Sequence, residues 1–197
     1  MTDIDMTIHQ ENALHIKNMV CNRCIMAVKS QLESLGLQPE SVELGIAILP
    51  EKVTDKVYQT VKDALEPLGF ELIDDKKSQM TELIKNAIIE LVHYHDNKLK
   101  VNLSDYLASR FHRDYSTLSK FFSEATNTTI EKYLIAQKIE RVKELLVYGE
   151  LSLNEIADKL NYSSTAYLSS QFKNVTGLTP SHFKKMKENK RKSLDEV

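Results

Sequence analysis

The chain has 197 residues, 42% hydrophobic and 27% charged, a composition that fits an ordered globular protein and excludes disordered and fibrous classes. No apolar run approaches the roughly 20 residues of a membrane span, and the acidic opening MTDIDMTIHQEN lacks the apolar stretch of a secretion signal, so a cytoplasmic protein with no membrane partner is expected. The net charge of −2 is uneven: residues 1–77 carry 8 Lys and Arg against 13 Asp and Glu, and the basic excess gathers at Phe183–Ser193.

That asymmetry assigns any polyanionic partner to the C-terminal part, although charge alone is better explained by a solvated helix end. In chain order, Ala13–Met19 alternates apolar and polar residues and predicts a half-buried strand. From Cys24 the spacing turns helical, with Ile25, Val28, Leu32 and Leu35 on one stripe that Gly36 stops. Ser41–Leu49 predicts one bent strand or two short ones broken at Gly45. Thr54–Gly69 predicts a second amphipathic helix, and Phe70–Ile73 a last short strand. This β-α-β(β)-α-β order predicts a ferredoxin-like sandwich over residues 1–75.

Asp74–Gln79 is polar and predicts a hinge, after which the pattern is helical and duplicated. Asp105–Phe111 matches Asn154–Leu160 at an offset of 49, and Ser116–Thr129 matches Ala166–Thr179 at an offset of 50. Leu118 pairs with Leu168, Phe122 with Phe172, and Asn127 with Gly177; a helical pattern, Thr129–Gly149, joins the copies. Each copy reads as a short helix with Leu-Ala or Ile-Ala, a turn, and a helix with Leu-x-x-x-Phe. Small Ala108 and Ala157 let two helices cross closely, leaving a face rich in Ser, Thr and Lys for a major groove. The expected fold class is α+β: a βαββαβ sandwich, then an all-α domain over 80–190 with two helix-turn-helix units joined by a long helix.

Both cysteines, Cys21 and Cys24, lie on one turn at a strand-to-helix junction. Without an export signal they predict free thiols in a reducing compartment. Three readings stand: a metal clasp, a redox dithiol, and core packing. Helix N–H groups at such a junction favour the thiolate. Two soft sulfurs suit Cu(I), and Zn(II), Cd(II), Pb(II) or Hg(II) are further candidates. His15, His93 and His95 are candidate extra ligands. The last two, only two residues apart, point to different faces of a helix and are better explained as surface or capping groups.

From about Thr81 to Met186 the sequence resembles the DNA-binding domain of AraC/XylS-type transcription regulators. Its end, YSSTAYLSSQFKNVTGLTPSHFKK, follows that family's pattern, with Asn161-Tyr162 for Gly-Phe, Leu168 for a Phe and Phe183-Lys184 for Tyr-Arg, while the connecting helix has Lys138-Ile139 for Arg-Leu. The resemblance implies groove-facing Ser116, Ser119 and Lys120 in the first unit and Thr165, Ala166, Ser169 and Ser170 in the second. Lys120 is the strongest base reader among them. It also implies double-stranded promoter DNA as partner, with major-groove contacts about 10 base pairs apart, RNA polymerase as a further candidate partner, and a monomer or homodimer. The first 75 residues resemble a heavy-metal-associated domain through Met19-Val20-Cys21-Asn22-Arg23-Cys24 and the Pro67–Phe70 loop, with Asn18 in place of a common Gly. Together the two resemblances imply a metal-responsive regulator. The alternatives are a thiol-redox regulator, or a metal carrier or buffer with a DNA-binding module. No Gly-rich phosphate loop and no acid, base or nucleophile constellation suggests an enzyme.

Overall fold

The computed structural model describes residues 11–95 and 101–188. It is mostly helical with one small antiparallel sheet near the N-terminus. The described residues form two compact units: one runs through Ala87 and adds Asn102–Thr129, and the other takes Ile88–Val101 and the residues from Ile130 onward.

In the first unit, strands β1 (Ala13–Lys17), β2 (Ser41–Glu43), β3 (Ile46–Ile48) and β4 (Glu71–Leu72) order as β2-β3-β1-β4. Every pairing is antiparallel, with Leu14 opposite Ala47, His15 opposite Ile46, and Ile16 opposite Leu72. Successive strand side chains point to opposite faces, yet Leu14, His15 and Ile16 are all buried, so both faces of the sheet are covered there. Helix α1 (Asn22–Ser34) packs on β2 and on α2 (Asp55–Leu65), burying Val28, Leu32, Val61 and Leu65. Of the two arrangements open for Ser41–Leu49, the chain takes two short strands. Gly45 makes the break at φ 85°, and its carbonyl accepts the Ile16 N–H at 2.9 Å.

The polar stretch Asp74–Gln79 runs directly into a helix. Helix α3 (Lys76–His93) starts inside it, and the Asp75 carboxylate accepts the N–H groups of Lys77 and Ser78 at 3.1 and 2.9 Å. An aspartate ahead of a helical run satisfies the free N–H groups of its first turn, and the polarity is that of an exposed turn. Met80, Leu83, Ile84 and Ala87 are buried, as are the polar Glu82 and Asn86. The Asn86 side chain occupies the space beside Gly45: a Cβ built on that glycine collides with Asn86 Nδ2. The unit is completed by α4 (Leu103–Phe111) and α5 (Tyr115–Thr126), anchored by buried Leu107, Phe111, Leu118 and Phe122.

In the second unit, α6 (Ile130–Tyr148), α7 (Leu153–Lys159), α8 (Thr165–Thr176) and α9 (Pro180–Glu188) share one core. Ile139, Val142, Ile156, Ala157, Leu160, Leu168 and Phe172 form its centre, and Phe172 meets Phe183 edge-on at 5.6 Å. Among the described residues no helix is long and apolar enough to cross a membrane.

Candidate nucleic-acid interface and thiol site

The two helix pairs, α4–α5 and α7–α8, repeat one another down to single hydrogen bonds. Asn102 Oδ1 accepts the Asp105 N–H at 2.8 Å at the start of α4. Ser152 Oγ accepts the Glu155 N–H at 3.3 Å at the start of α7, while Glu155 Oε2 accepts the Ser152 N–H at 2.7 Å, closing a capping box. The turns pass through left-handed residues, His112 at φ 48° and Asn161 at φ 52°. The second helices end alike: Thr126 Oγ1 donates to the Phe122 carbonyl at 2.6 Å, and Thr176 Oγ1 to that of Phe172 at 2.7 Å.

With Leu118, Phe122, Leu168 and Phe172 fully buried, the opposite faces of α5 and α8 are left outside. Ser116 and Lys120 are exposed and Ser119 is half-buried, at a spacing that puts all three on one side of α5. On α8, Ala166 and Ser170 are exposed, and Thr165 and Ser169 are half-buried. The Thr165 hydroxyl donates to Asn154 Oδ1 at 2.6 Å, tying the start of α8 to α7. Two basic residues join this setting without having been singled out. Lys173 is exposed one turn beyond Ser169 and Ser170, and the 50-residue offset maps it onto Ser123. Arg113 is exposed in the α4–α5 turn, beside a crevice lined by Ala108, His112, Asp114 and Thr117. Phe121, beside the buried Phe122, is only half-buried, and the Lys77 ammonium lies 5.8 Å from its ring.

Helix α8 has a polar support. The Tyr162 hydroxyl donates to Gln171 Oε1 at 2.8 Å, and Lys138 Nζ lies 3.9 Å from the Tyr162 ring centroid. Burial lowers Lys138 to a pKa of about 8 and raises that of the phenol. The ring face attracts the ammonium that burial penalises.

Cys21 caps the N-terminus of α1, and its sulfur lies 3.5 Å from that of Cys24. The Cys21 thiol titrates below its ordinary range, chiefly through the backbone N–H and then the thiol of Cys24, with further help from the N–H and charge of Arg23. Asn18 enters the loop at φ 71°, a left-handed conformation that asparagine tolerates better than most residues. Its amide donates to the Gly69 carbonyl at 3.0 Å, holding the loop against the Pro67–Phe70 segment, and Met19 is fully buried beneath.

Among the described residues no group of three or more His, Cys, Asp and Glu side chains could hold a metal ion. His15 is therefore not grouped with the cysteines: it is buried in the sheet, and burial lowers its pKa to about 4. His93 instead meets Gln137 Oε1 at 3.2 Å and Glu144 Oε2 at 3.8 Å, and His95 is exposed. The donor set present is two thiols, one of them already shifted toward thiolate, which fits a soft ion that accepts two ligands.

Residues 107–186 match the family model of a helix-turn-helix domain. The chain is 27% identical over 135 residues to the Msm operon regulatory protein of Streptococcus mutans, covering 68% of this chain and 47% of that protein. It is 28% identical over 154 residues to the Xylose operon regulatory protein of Escherichia coli K12, covering 78% of this chain and 39% of that protein. It thus spans less than half the length of these two curated relatives, both of them named as operon regulatory proteins. Among solved structures, the C-terminal domain of AraT, a response regulator from Geobacillus stearothermophilus, aligns with a TM-score of 0.49 and 21% identity, over 61% of this chain and 93% of that one. Over residues 107–186 the chain therefore carries the sequence pattern of a helix-turn-helix domain.

Proposed function

We propose that this chain is a cytoplasmic transcription regulator of the AraC type. It binds double-stranded promoter DNA through α5 and α8, and a thiophilic metal ion through Cys21 and Cys24, with metal occupancy setting DNA affinity. The observation that carries the DNA half is the repeated helix pair, each with a fully buried Leu-x-x-x-Phe anchor and an outward face of small polar and basic residues. The relatives named as operon regulators support the same reading. Ser116, Ser119 and Lys120, with Thr165, Ala166, Ser169 and Ser170, are the proposed contact residues. Lys120 reads a base edge, and the hydroxyls and Ala166 supply hydrogen bonds and thymine-methyl contact. RNA polymerase is the proposed further partner, acting on a monomer or homodimer.

The metal half rests on the N-terminal part, read as a heavy-metal-associated, ferredoxin-like domain over 1–75 ahead of a DNA-binding domain over 80–190. Its support is the β-α-β-β-α-β order, the β2-β3-β1-β4 sheet and a cysteine pair between β1 and α1. The two thiols suit Cu(I) or Hg(II) with no other donor; Zn(II), Cd(II) and Pb(II) need ligands from elsewhere. A thiol-redox reading draws on the same 3.5 Å sulfur separation. Metal regulates DNA binding only if it binds two states of the protein with different affinity.

An anaerobic titration of the reduced protein with Cu(I), Zn(II), Cd(II) and Pb(II), followed by thiolate-to-metal absorption, tests the reading. DNA affinity is then measured with and without metal on a site selected from random sequence. Binding that disappears in Cys21→Ser, Cys24→Ser and a metal-dependent DNA affinity support it. Metal binding with unchanged DNA affinity makes the protein a carrier. No metal binding, with DNA affinity that follows thiol oxidation, makes it a redox regulator.

A further inference from the structure

We propose that Glu82 is the positioning residue through which the state of the cysteine loop reaches the first helix-turn-helix pair. The inference rests on reading Cys21 and Cys24 as an input, whatever their occupant.

Glu82 sits in the middle of α3 with 8% of its surface exposed. One carboxylate oxygen accepts the ammonium of Lys85 at 3.1 Å, and the other accepts the backbone N–H of Asn18 at 3.4 Å. Asn18 is the residue at which β1 turns into the cysteine loop, three positions before Cys21. A rearrangement of the loop that rotates the Asn18 peptide therefore removes one partner of a buried carboxylate. Leaving such a group half-satisfied is costly, so α3 has a reason to follow the loop.

The same helix holds α5. Lys77, at its start, pairs with Glu124 of α5 at 3.1 Å and lies over the Phe121 ring. The far end of α5, Ala125 and Thr126, shares a crevice of about 440 Å³ with Glu82, Lys85, Lys17 and Glu71. Docking of α3 on the sheet leaves little slack, because the Asn86 side chain fills the space beside Gly45 with both its amide atoms buried and unpartnered. All these residues belong to the first compact unit. One helix thus touches the entrance of the cysteine loop on one side and the outward-facing helix α5 on the other.

The test is backbone hydrogen exchange of the whole 197-residue chain in its reduced form, read over residues 115–126. The loop is perturbed in two separate arms, by Cd(II) and by iodoacetamide kept limiting, so that it alkylates the two thiols, Cys21 and Cys24. Alkylation is expected to change exchange over α5 roughly fivefold in the wild type, the lower end of ordinary coupling between sites. Glu82→Gln keeps an oxygen for the Asn18 N–H and should respond alike. Glu82→Met keeps the volume, loses both acceptors, and should respond less than about half as strongly, with the thiols modified to the same extent. A wild type whose α5 ignores alkylation, or a Glu82→Met protein that responds in full, overturns the proposal. Should Glu82→Met fail to fold, exposed Lys77→Ala is the second variant: α3 should still respond while α5 does not, and a full α5 response overturns the route. Cd(II) that neither binds nor alters exchange, beside a positive alkylation arm, supports the coupling and removes only the metal reading.

Discussion

Asn127 and Gly177 hold the same left-handed cap, at φ 54° and 77°, at the ends of α5 and α8. Each donates its N–H back into the last helical turn, to Ser123 and Lys173 at 3.0 and 2.8 Å. Such a position favours glycine, and asparagine tolerates it. Asn127→Gly should therefore raise stability by about 0.5 kcal/mol, and Gly177→Ala should lower it by about 1 kcal/mol. No atom lies within 4 Å of a Cβ at position 177, so that loss is backbone strain alone. Urea midpoints of the two variants test this, and equal effects of the same sign would contradict it.

His15 gives the protein an acid sensitivity. Its pKa falls from an ordinary 6.5 to about 4 because it is buried, so below pH 6.5 the unfolded chain takes up the proton and the folded chain does not. The stabilisation is complete above the unfolded value and is lost as pH falls from 6.5 toward 4. At pH 5 the loss is about 2 kcal/mol relative to pH 7. His15→Leu should flatten this part of the pH profile of unfolding; an unchanged slope would place the sensitivity elsewhere.

At the cysteine pair, the lowered pKa of Cys21 favours the thiolate, the form that reacts with alkylating agents. Limited iodoacetamide at pH 7, followed by peptide mapping, should mark Cys21 before Cys24. The reverse order would mean that exposure and not ionisation governs the pair.

On the proposed DNA-facing side, Lys120 and Lys173 should make separable contributions. Lys120→Ala should weaken binding to a selected site and relax sequence preference, by about 1–3 kcal/mol at one base pair. Lys173→Ala should weaken binding to all sequences alike and lower the salt slope by about one. Titrations at three salt concentrations distinguish the two; a Lys173 variant with altered preference would make it a base reader.

The repeat was legible in the sequence because its anchors, Leu118, Phe122, Leu168 and Phe172, are fully buried and recur at fixed spacing. The cysteine turn was legible because it sits where a strand pattern gives way to a helical one. The role of α3 was not. A helix covered on more than one side loses its single apolar stripe, so nothing in the sequence singles out Glu82 and Asn86, which are only 8% and 2% exposed. Lys138 misleads in the same way, since a lysine in a helical pattern does not announce that it lies under a tyrosine ring. Nor does a threonine at a helix start reveal that its hydroxyl is engaged by Asn154.

Gly45 and Asn86 leave a trace that natural variation can reveal. A side chain at position 45 is strained by φ 85° and meets the amide of residue 86, whereas shortening residue 86 removes only buried atoms that have no hydrogen-bond partner. Substitutions at the two positions therefore have a preferred order, residue 86 first and residue 45 second. Descendants of a common ancestor should carry glycine beside a long amide, or a larger residue beside a small one, and seldom two large residues together.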